Sequence, residues 1–294
     1  MSSSLFKKAQ FKKYEFKKLC HLLGFEQEII LELLLAVDKN YKEWSEDKYG
    51  KDGNLKKYLD GTVKKRTFRN PSVLLKEVQK RIKRNILDKE PLPDCVHGGV
   101  KGRSNITNAK QHQGKKYKFE TDLQEFYPNI GMKQVYDLFE SFNYSTHIAH
   151  WLTKLTTSKD ELPQGGPASQ SIANLIFRET DYKLLAICKS HDLTYTRYVD
   201  DLTFSSQQDF SSFILEILGI IIGDSFKINR RKTKYEGELA VTGIDVFLNK
   251  IDAPKHIIEK SKSEGAANAS QKPYTQYVSN VRKTNRGKNK SKKR

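Results

Sequence analysis

The sequence contains little of what secreted proteins use to stabilise a fold. Its 294 residues include only three cysteines, Cys20, Cys95 and Cys188. An odd number of widely separated cysteines argues against a disulfide framework and fits a reducing compartment. Cys95 and His97 lack the second pair of ligands that a zinc site of this kind needs, so we interpret them as structural residues.

Long apolar segments are absent as well. The longest apolar run, around 213–222, is interrupted by Glu216 and is too short to span a bilayer. The lysine-rich stretch from Phe6 to Lys18 is not followed by the apolar segment and small-residue cleavage site of a signal peptide. We therefore expect a cytoplasmic protein without a membrane partner.

Acidic residues are scarce relative to basic ones. The chain has 53 Lys and Arg residues against 35 Asp and Glu, a net charge of +18, and its 37% of hydrophobic residues suffices for a core. Such an excess of positive charge indicates a polyanionic partner, most often nucleic acid. An anionic membrane surface would be the competing partner, and the short apolar runs described above argue against it.

The C-terminal segment from Gly265 onward has no acidic residue. Its nine basic residues are Lys272, Arg282, Lys283, Arg286, Lys288, Lys290, Lys292, Lys293 and Arg294. The last part, 284–294, also has no apolar residue. We expect this part to be disordered unless nucleic acid neutralises it.

The first third of the chain shows helical and polar patterns. In residues 5–35 lysines alternate with Phe, Leu and Ile at helical spacing, which predicts one or two basic amphipathic helices. Residues 45–67 are polar and contain glycine, which predicts a mobile hairpin or loop. Pro71 and Ser72 then open a predicted helix with one apolar and one basic face.

Strand and helix patterns alternate after Cys95. The predicted strands are 116–122, 195–205 as a strand–turn–strand, 227–229 and 240–247, and the predicted helices are 132–142, 169–189 and 210–223. Strands interleaved with helices, with one hairpin among them, predict an α+β fold. We expect its sheet to be antiparallel or mixed, with helices on one face.

Three aspartates indicate the chemistry of a possible metal site. Asp200 and Asp201 lie between two β-rich runs, and Asp122 ends another. Adjacent like charges repel, so keeping both ionised requires a cation. If the runs pair in one sheet, the three carboxylates meet at one edge, and all-oxygen ligation suits Mg²⁺. Two ions ~3.5–4 Å apart would support phosphoryl transfer. An isolated Asp-Asp is more often a solvated turn, so the context decides.

The run Tyr198-Val199-Asp200-Asp201 resembles the Tyr-x-Asp-Asp signature of reverse transcriptases. Asp122, followed five places later by Tyr127, resembles the first palm motif of that family. The resemblance implies a DNA polymerase that uses two Mg²⁺ ions, with Mn²⁺ as a substitute. It implies metal ligation by the three aspartates and the Leu123 backbone. It also implies a steric gate at Tyr127 that favours deoxynucleotides.

Three further motifs are similar to nucleotide-binding elements of the same family. In 162–169, which resembles Leu-Pro-Gln-Gly, Gln164 and Gly165 would lie beside the incoming dNTP. In 66–71, which resembles Arg-x-Ile-x-x-Pro, Arg66 would grip the triphosphate, helped by Lys64 or Lys65. In 229–233, which resembles Asn-x-x-Lys-Thr, Lys232 would lie near the pyrophosphate and could act as a general acid.

Two more segments resemble the retron branch of the family. Residues 108–112 resemble its Asn-Ala-x-x-His motif, and Val241-Thr242-Gly243 resembles its Val-Thr-Gly motif near the primer grip. In the preceding Gly-rich loop, Lys101 and Arg103 could approach backbone phosphates. Asn108 and His112 could either bond nucleic acid or fix the junction between fingers and palm.

The resemblance to the retron branch implies an architecture and partners. The expected right-hand polymerase has N-terminal basic helices in 1–44, helical and loop-built fingers in 45–115, and a ferredoxin-like palm in 116–243 with fingers elements interleaved. A reduced thumb and a basic tail are expected in 244–294. The implied partners are a cognate noncoding RNA used as template and primer, its DNA product, dNTPs and a separate effector protein in anti-phage defence. A higher-order oligomer is also compatible with the branch.

Two alternatives remain at this point. The chain could be another bacterial defence-associated or group II intron-like reverse transcriptase, although an intron enzyme would normally carry a maturase region after the palm. It could also be a non-catalytic RNA-binding scaffold, which composition alone allows. The scaffold hypothesis predicts no dependence on the aspartates.

Overall fold

The computed structural model describes residues 3–50, 53–58, 60–237, 240–264 and 272–285, with the backbone alone for 3–11. Its contacts divide the chain into two compact units that are interleaved in sequence. Unit 1 comprises Met1–Pro91 and Glu125–Phe177, and unit 2 comprises Leu92–Gln124 and Arg178–Arg294.

The described residues form helices and strands throughout both units. The helices are α1 Ser3–Leu23, α2 Gln27–Leu35, α3 Val73–Asn85, α4 Asn105–Gln111, α5 Met132–Ser141, α6 Thr146–Thr156, α7 Ser169–Ser190, α8 Ile214–Gly223, α9 Lys255–Ser263 and α10 Pro273–Lys283. The strands are β1 Tyr41–Asp47, β2 Lys65–Pro71, β3 Tyr117–Asp122, β4 Thr194–Tyr198, β5 Asp201–Ser206, β6 Lys234–Glu236, β7 Asp245–Val246 and β8 Ile251–Asp252. This mixture confirms the predicted α+β class.

Unit 1 has a helical core. The predicted N-terminal helices are confirmed as α1 and α2, and the predicted start of α3 is confirmed because the Ser72 hydroxyl accepts a hydrogen bond from the Leu75 amide at 3.4 Å. Helix α1 contacts α3 and α6, and Leu19, Ile82 and Leu152 from these helices are fully buried. Helix α6 was not predicted.

The polar stretch 45–67, predicted as a mobile hairpin or loop, begins and ends in a β-ribbon formed by β1 and β2. Strand β1 pairs with β2 from Tyr41 opposite Pro71 to Asp47 opposite Lys65. Trp44 stacks on Phe68 with ring centroids 5.2 Å apart. Most side chains of the ribbon are exposed, so its sequence lacks the apolar–polar alternation that identifies a half-buried strand.

Unit 2 contains an antiparallel sheet in the order β4-β5-β3-β6. One face of this sheet is aromatic, because the Phe204 ring lies 4.6 Å from that of Tyr195 and 5.8 Å from that of Phe119. Helix α7 lies on this face, where Asp181 accepts a hydrogen bond from the Tyr195 hydroxyl at 2.7 Å. The predicted strands 116–122 and 195–205 and the helix 169–189 are therefore confirmed.

Of two strand predictions in unit 2, 227–229 was wrong and 240–247 is confirmed only at Asp245–Val246. The segment 227–229 makes only an isolated bridge between Ile228 and Leu123, and the sheet is completed instead by β6. In 240–247 the chain turns at Thr242 and Gly243, whose φ angles are 47° and 76°, before the short strand β7. Left-handed backbone of this kind ends a strand.

The C-terminal part of unit 2 packs around α10, which was not predicted. Val278 and Val281 of this helix join a buried cluster with Val241, Ile244 and Ile251. Asn285 continues this contact, since its side-chain amide donates to the Ile251 carbonyl at 2.7 Å. Residues 286–294, which include most of the stretch predicted to be disordered, lie outside the described residues, as do 265–271.

Two absences predicted from the sequence can be compared with the described residues. The three cysteines are free and buried, so the expectation of no disulfide is confirmed. No helix in the part of the chain that the structure describes is both long and apolar enough to cross a bilayer.

The core position of α10 can be tested with a matched pair of valines. We expect Val281→Ala to lower the free energy of unfolding by about 1–2 kcal/mol, because the side chain is fully buried. Val73→Ala, at a position that is 83% exposed, should change it by less than about 0.5 kcal/mol. Urea denaturation of both variants measures the difference. Equal stabilities would show that α10 does not pack as described.

Candidate active site

Three aspartates lie at one end of the sheet in unit 2. Asp122 ends β3 and Asp201 begins β5, and the two residues are direct partners across the antiparallel pair. The Leu123 amide donates a hydrogen bond to the Asp200 carbonyl at 2.9 Å, which joins the end of β3 to the turn before β5. The predicted convergence of the two strand ends is present in the structure.

Asp200 belongs to a two-residue turn. Tyr198 of β4 pairs directly with Asp201 of β5, so Val199 and Asp200 alone connect the two strands. Val199 has a φ of 62°, in the left-handed region that a β-branched residue rarely adopts. The tight turn therefore holds the consecutive residues Asp200 and Asp201 directly after the strained backbone of Val199.

The Asp122 carboxylate is almost fully buried and is bonded on both oxygens. Its Oδ1 accepts a hydrogen bond from the Asn229 side-chain amide at 3.1 Å, and its Oδ2 accepts one from Lys232 Nζ at 2.5 Å. The Asn229 backbone amide also donates to the Asp122 carbonyl at 2.8 Å. Burial alone would lower the pKa of Lys232, but its hydrogen bond to Asp122 and the charge of that carboxylate raise it. Lys232 is therefore a cation that neutralises Asp122.

Asp201 has a raised pKa because of its position in the cluster. Its side chain reaches the surface, but the surrounding protein removes much of its hydration, and this loss together with the charges of Asp200 and Asp122 raises its pKa to about 7. The charge of Lys232 acts in the opposite direction. The cluster thus holds more negative charge than the protein neutralises.

The donor set fits a hard divalent cation. Carboxylate oxygens from three aspartates are the ligands that Mg²⁺ prefers. A cation would offset both the loss of hydration and the repulsion that raise the pKa of Asp201. Among the described residues, no group of three or more His, Cys, Asp or Glu side chains is arranged so that it could hold a metal ion. This applies to the three aspartates in the present conformation and to the region of Cys95 and His97. At Asp122 the ammonium of Lys232 takes the place of the cation.

Four of the residues predicted to bind the nucleotide lie in unit 1 on two short segments. Lys65 and Arg66 are exposed on β2, opposite Asp47 and Glu46 of β1. The Gln164 carbonyl accepts a hydrogen bond from the Arg69 amide at 2.9 Å.

Gly165 is tightly enclosed beside this contact. Its φ is 119°, and an added Cβ would lie 2.8 Å from the Asn70 side-chain oxygen and 3.3 Å from the Arg69 carbonyl. Only glycine fits there. Tyr127, also in unit 1, is half-buried with its ring 5.8 Å from that of Phe126. These assignments to nucleotide binding remain predictions.

Asn108 and His112 are completely buried in unit 2. The His112 ring nitrogens lie 2.6 Å from the Ser205 hydroxyl and 2.7 Å from that of Thr196, on the polar face of the sheet. Burial, aided by nearby positive charge, lowers the pKa of His112 to about 3, so the ring is neutral. The prediction that these residues contact nucleic acid directly is not supported, because neither reaches the surface. The structural role left open by the sequence fits the burial.

The remaining residues predicted to bind nucleic acid differ in exposure. Arg103 donates to the carbonyls of Pro93 at 2.9 Å and Val96 at 2.6 Å and pairs with Asp94, so its guanidinium holds its own loop together. Lys101 is exposed.

The Val241–Gly243 motif forms the turn after β6. Val241 is buried in the cluster beneath α10, which excludes direct contact of its side chain with nucleic acid in this conformation. Thr242 accepts a weak hydrogen bond from the Asn108 amide at 3.4 Å, and Gly243 is exposed. A role of Lys101, Arg103, Thr242 and Gly243 at nucleic acid stays a prediction.

Two features of the site could not be assigned from the sequence. Asn229 is the first residue of the motif 229–233, but nothing in the sequence indicated that its side chain bonds Asp122, 107 residues earlier. The buried ion pair between Arg197 and Asp181 carried no sequence signal, because an acid in the middle of a helix usually faces solvent.

Comparison with known proteins agrees with this geometry. Residues 52–246 match the family described as reverse transcriptase (RNA-dependent DNA polymerase). The chain belongs to the reverse transcriptase family.

Several relatives of the chain are retron proteins. The Retron Se72 reverse transcriptase of Salmonella heidelberg (strain 579083-10) is 33% identical over 76% of this chain and 59% of its own length. The Retron Ec86 reverse transcriptase of Escherichia coli is 33% identical over 74% of this chain and 67% of its own length. The Retron Mx65 reverse transcriptase of Myxococcus xanthus is 29% identical over 62% of this chain and 48% of its own length. The resemblance to the retron branch is confirmed, and the chain spans about half to two thirds of these relatives.

The excess negative charge of the cluster can be tested by Mn²⁺ binding. We expect Asp201→Asn to weaken Mn²⁺ binding at pH 8 by roughly 10-fold or more, because a charged ligand is lost. Its melting temperature without divalent ions should be no lower than that of the wild type, because repulsion is relieved. Electron paramagnetic resonance titration and a thermal melt measure the two effects.

Asp192→Asn is the matched control for this substitution. Asp192 is an exposed acid of the same unit with a φ of 52°, a conformation that asparagine tolerates. It should bind Mn²⁺ as the wild type does. Unchanged Mn²⁺ affinity in Asp201→Asn would contradict the assignment of Asp201 as a ligand.

Proposed function

We propose that this chain is an RNA-directed DNA polymerase of the retron type, which binds a cognate structured noncoding RNA and copies part of it into DNA. The observation that carries the proposal is the direct pairing of Asp122 with Asp201 across β3 and β5, with Asp200 in the adjoining turn. Family membership supports the same reaction class.

Asp122, Asp200 and Asp201, with the Leu123 backbone, are the proposed ligands for two Mg²⁺ ions, for which Mn²⁺ can substitute. When bound, such ions activate a 3′-hydroxyl and stabilise the departing pyrophosphate. Asn229 orients the Asp122 carboxylate through its 3.1 Å hydrogen bond. Lys232 neutralises Asp122 in the absence of a metal, and its ammonium is a suitable proton donor for pyrophosphate.

Residues of unit 1 would select and hold the incoming nucleotide. Arg66 and Lys65 supply exposed positive charge for the triphosphate. The Gln164–Gly165 backbone offers a close approach, since it is fixed to β2 and has no side chain at Gly165. The proposed role of Tyr127 is to exclude a ribonucleotide 2′-hydroxyl with its ring.

The proposed domain organisation follows the right-hand polymerases. The fingers would span 45–115, the palm 116–243 with the sheet β4-β5-β3-β6, and the reduced thumb 244–294, after N-terminal helices in 1–44. Support for the palm comes from its antiparallel sheet, whose aromatic face carries α7.

The proposed partners are the noncoding RNA as template and primer, its DNA product and dNTPs. The net charge of +18, to which the C-terminal segment from Gly265 contributes nine basic residues, supports a polyanionic partner. Exposed Lys101 is available to phosphates. Priming from a guanosine 2′-hydroxyl, a role in anti-phage defence, a separate effector protein and a higher-order oligomer rest on the resemblance to retron proteins.

The decisive experiment supplies dNTPs and Mg²⁺ to protein purified with its bound RNA. The wild type should yield RNase-sensitive, 2′–5′-branched DNA, and Asp192→Asn should do the same. Replacing both Asp200 and Asp201 with alanine should abolish the product, because two metal ligands are lost.

Each failure of this experiment has a separate meaning. No DNA from the wild type would reject the polymerase and favour an RNA-binding scaffold. Linear or untemplated DNA would reject only the retron type. Undiminished DNA from the double alanine variant would reject the site.

A further inference from the structure

We infer that Arg197 is a positioning residue, which together with Asp181 holds the strained turn that presents Asp200 and Asp201. The inference rests on the proposed function, because it concerns the geometry of the proposed metal ligands. All of the residues involved lie in unit 2.

Arg197 is the largest fully buried side chain among the described residues. Its Nε and Nη2 donate to the two carboxylate oxygens of Asp181 on α7, at 2.9 and 2.6 Å, and neither side chain is exposed. Tyr195 donates a third hydrogen bond to Asp181 at 2.7 Å. The bidentate contact fixes the plane of the guanidinium.

The third nitrogen of the guanidinium reaches the catalytic turn. Arg197 Nη1 donates to the Val199 carbonyl at 3.0 Å. That carbonyl belongs to the peptide that joins Val199 to Asp200, so its orientation helps to set the direction in which Asp200 leaves the turn. Arg197 thus contacts the backbone immediately before the first of the two adjacent aspartates.

This contact acts on a backbone that would not persist unaided. A valine at φ 62° costs free energy, and such strain is retained only where surrounding contacts over-determine the conformation. The loop 95–98 supplies a second constraint. The Arg197 amide donates to the Cys95 carbonyl at 2.8 Å, and its carbonyl accepts from the His97 amide at 2.8 Å.

Gly98 completes the enclosure of the turn. A Cβ at this position would lie 2.5 Å from the Val199 nitrogen and 2.7 Å from its Cγ2. The guanidinium therefore holds the turn at the Val199 carbonyl, and the Gly98 backbone encloses it at the Val199 nitrogen and side chain.

A purely stabilising role does not account for this arrangement. Buried ion pairs are often replaceable by apolar residues without loss of stability, because desolvation offsets their attraction. Two nitrogens of Arg197 would be sufficient for the pair with Asp181, yet Nη1 is bonded to the turn. The geometry points to control of the turn.

The test compares Arg197→Lys with the wild type. Lysine retains the charge beside Asp181 but lacks the fork that also reaches Val199. We expect the kcat of DNA synthesis to fall roughly 10-fold and the Mn²⁺ dissociation constant to rise by about the same factor. The KM for dNTP should change less than about two-fold, since the residues proposed to bind dNTP are not altered. Hydrogen exchange in peptides covering 198–202 should become faster.

A second substitution separates positioning from stability. Adding Val199→Gly to Arg197→Lys should restore most of the lost kcat and Mn²⁺ affinity, because glycine adopts positive φ without strain. If Arg197→Lys fails to fold, the triple variant Arg197→Met, Asp181→Leu and Tyr195→Phe replaces the pair by apolar residues and is compared with and without Val199→Gly.

Asp224→Asn, at the end of α8, provides a control that also contacts α7. Asp224 accepts hydrogen bonds from Thr180 and Lys183 of α7, at 2.8 and 2.5 Å, away from the β4–β5 turn. This variant should lower the melting temperature without changing the Mn²⁺ dissociation constant.

Wild-type metal affinity and kcat in Arg197→Lys would overturn the inference. So would losses that follow the melting temperature alone and are not restored by Val199→Gly. A wild type that makes no DNA would instead overturn the proposed function. In that case hydrogen exchange of the turn still decides whether Arg197 holds it.

Discussion

Repulsion among three carboxylates is the constraint on which the candidate site depends. The pairing of β3 with β5 forces Asp122 and Asp201 to face each other, and the turn adds Asp200. The protein offsets part of this charge with Lys232 at Asp122 and leaves the pKa of Asp201 at about 7. Because this negative charge is only partly neutralised, binding of a divalent cation would lower the free energy of the site.

Several contacts of unit 2 restrain the residues that carry these charges. The antiparallel register determines which residues face each other, and the Leu123 amide ties the turn to the end of β3. On the aromatic face, Asp181 of α7 anchors Arg197, which in turn bonds the backbone before Asp200. On the polar face, a neutral His112 fills the space beneath β4 and β5 with both nitrogens bonded. The contacts that build the sheet of unit 2 therefore also position the residues of the candidate site.

The parts that sequence could predict are those with a local signal. The strands 116–122 and 195–205 and α7 followed from periodicity, and the aspartates followed from a turn between β-rich runs. The β1–β2 ribbon gave no such signal because its side chains are mostly exposed. Helix α10 was missed because its basic residues resembled a solvated tail, although Val278 and Val281 are buried. The Asn229 contact joins residues far apart in sequence, which a local pattern cannot indicate.

Anomalous diffraction from crystals grown with Mn²⁺, template RNA, primer and a non-hydrolysable dNTP would show directly whether divalent ions bind at the three aspartates. We expect anomalous peaks at the carboxylates of Asp122 and Asp201, with Lys232 Nζ displaced from Asp122. Peaks elsewhere, with Lys232 still bonded to Asp122, would contradict this expectation.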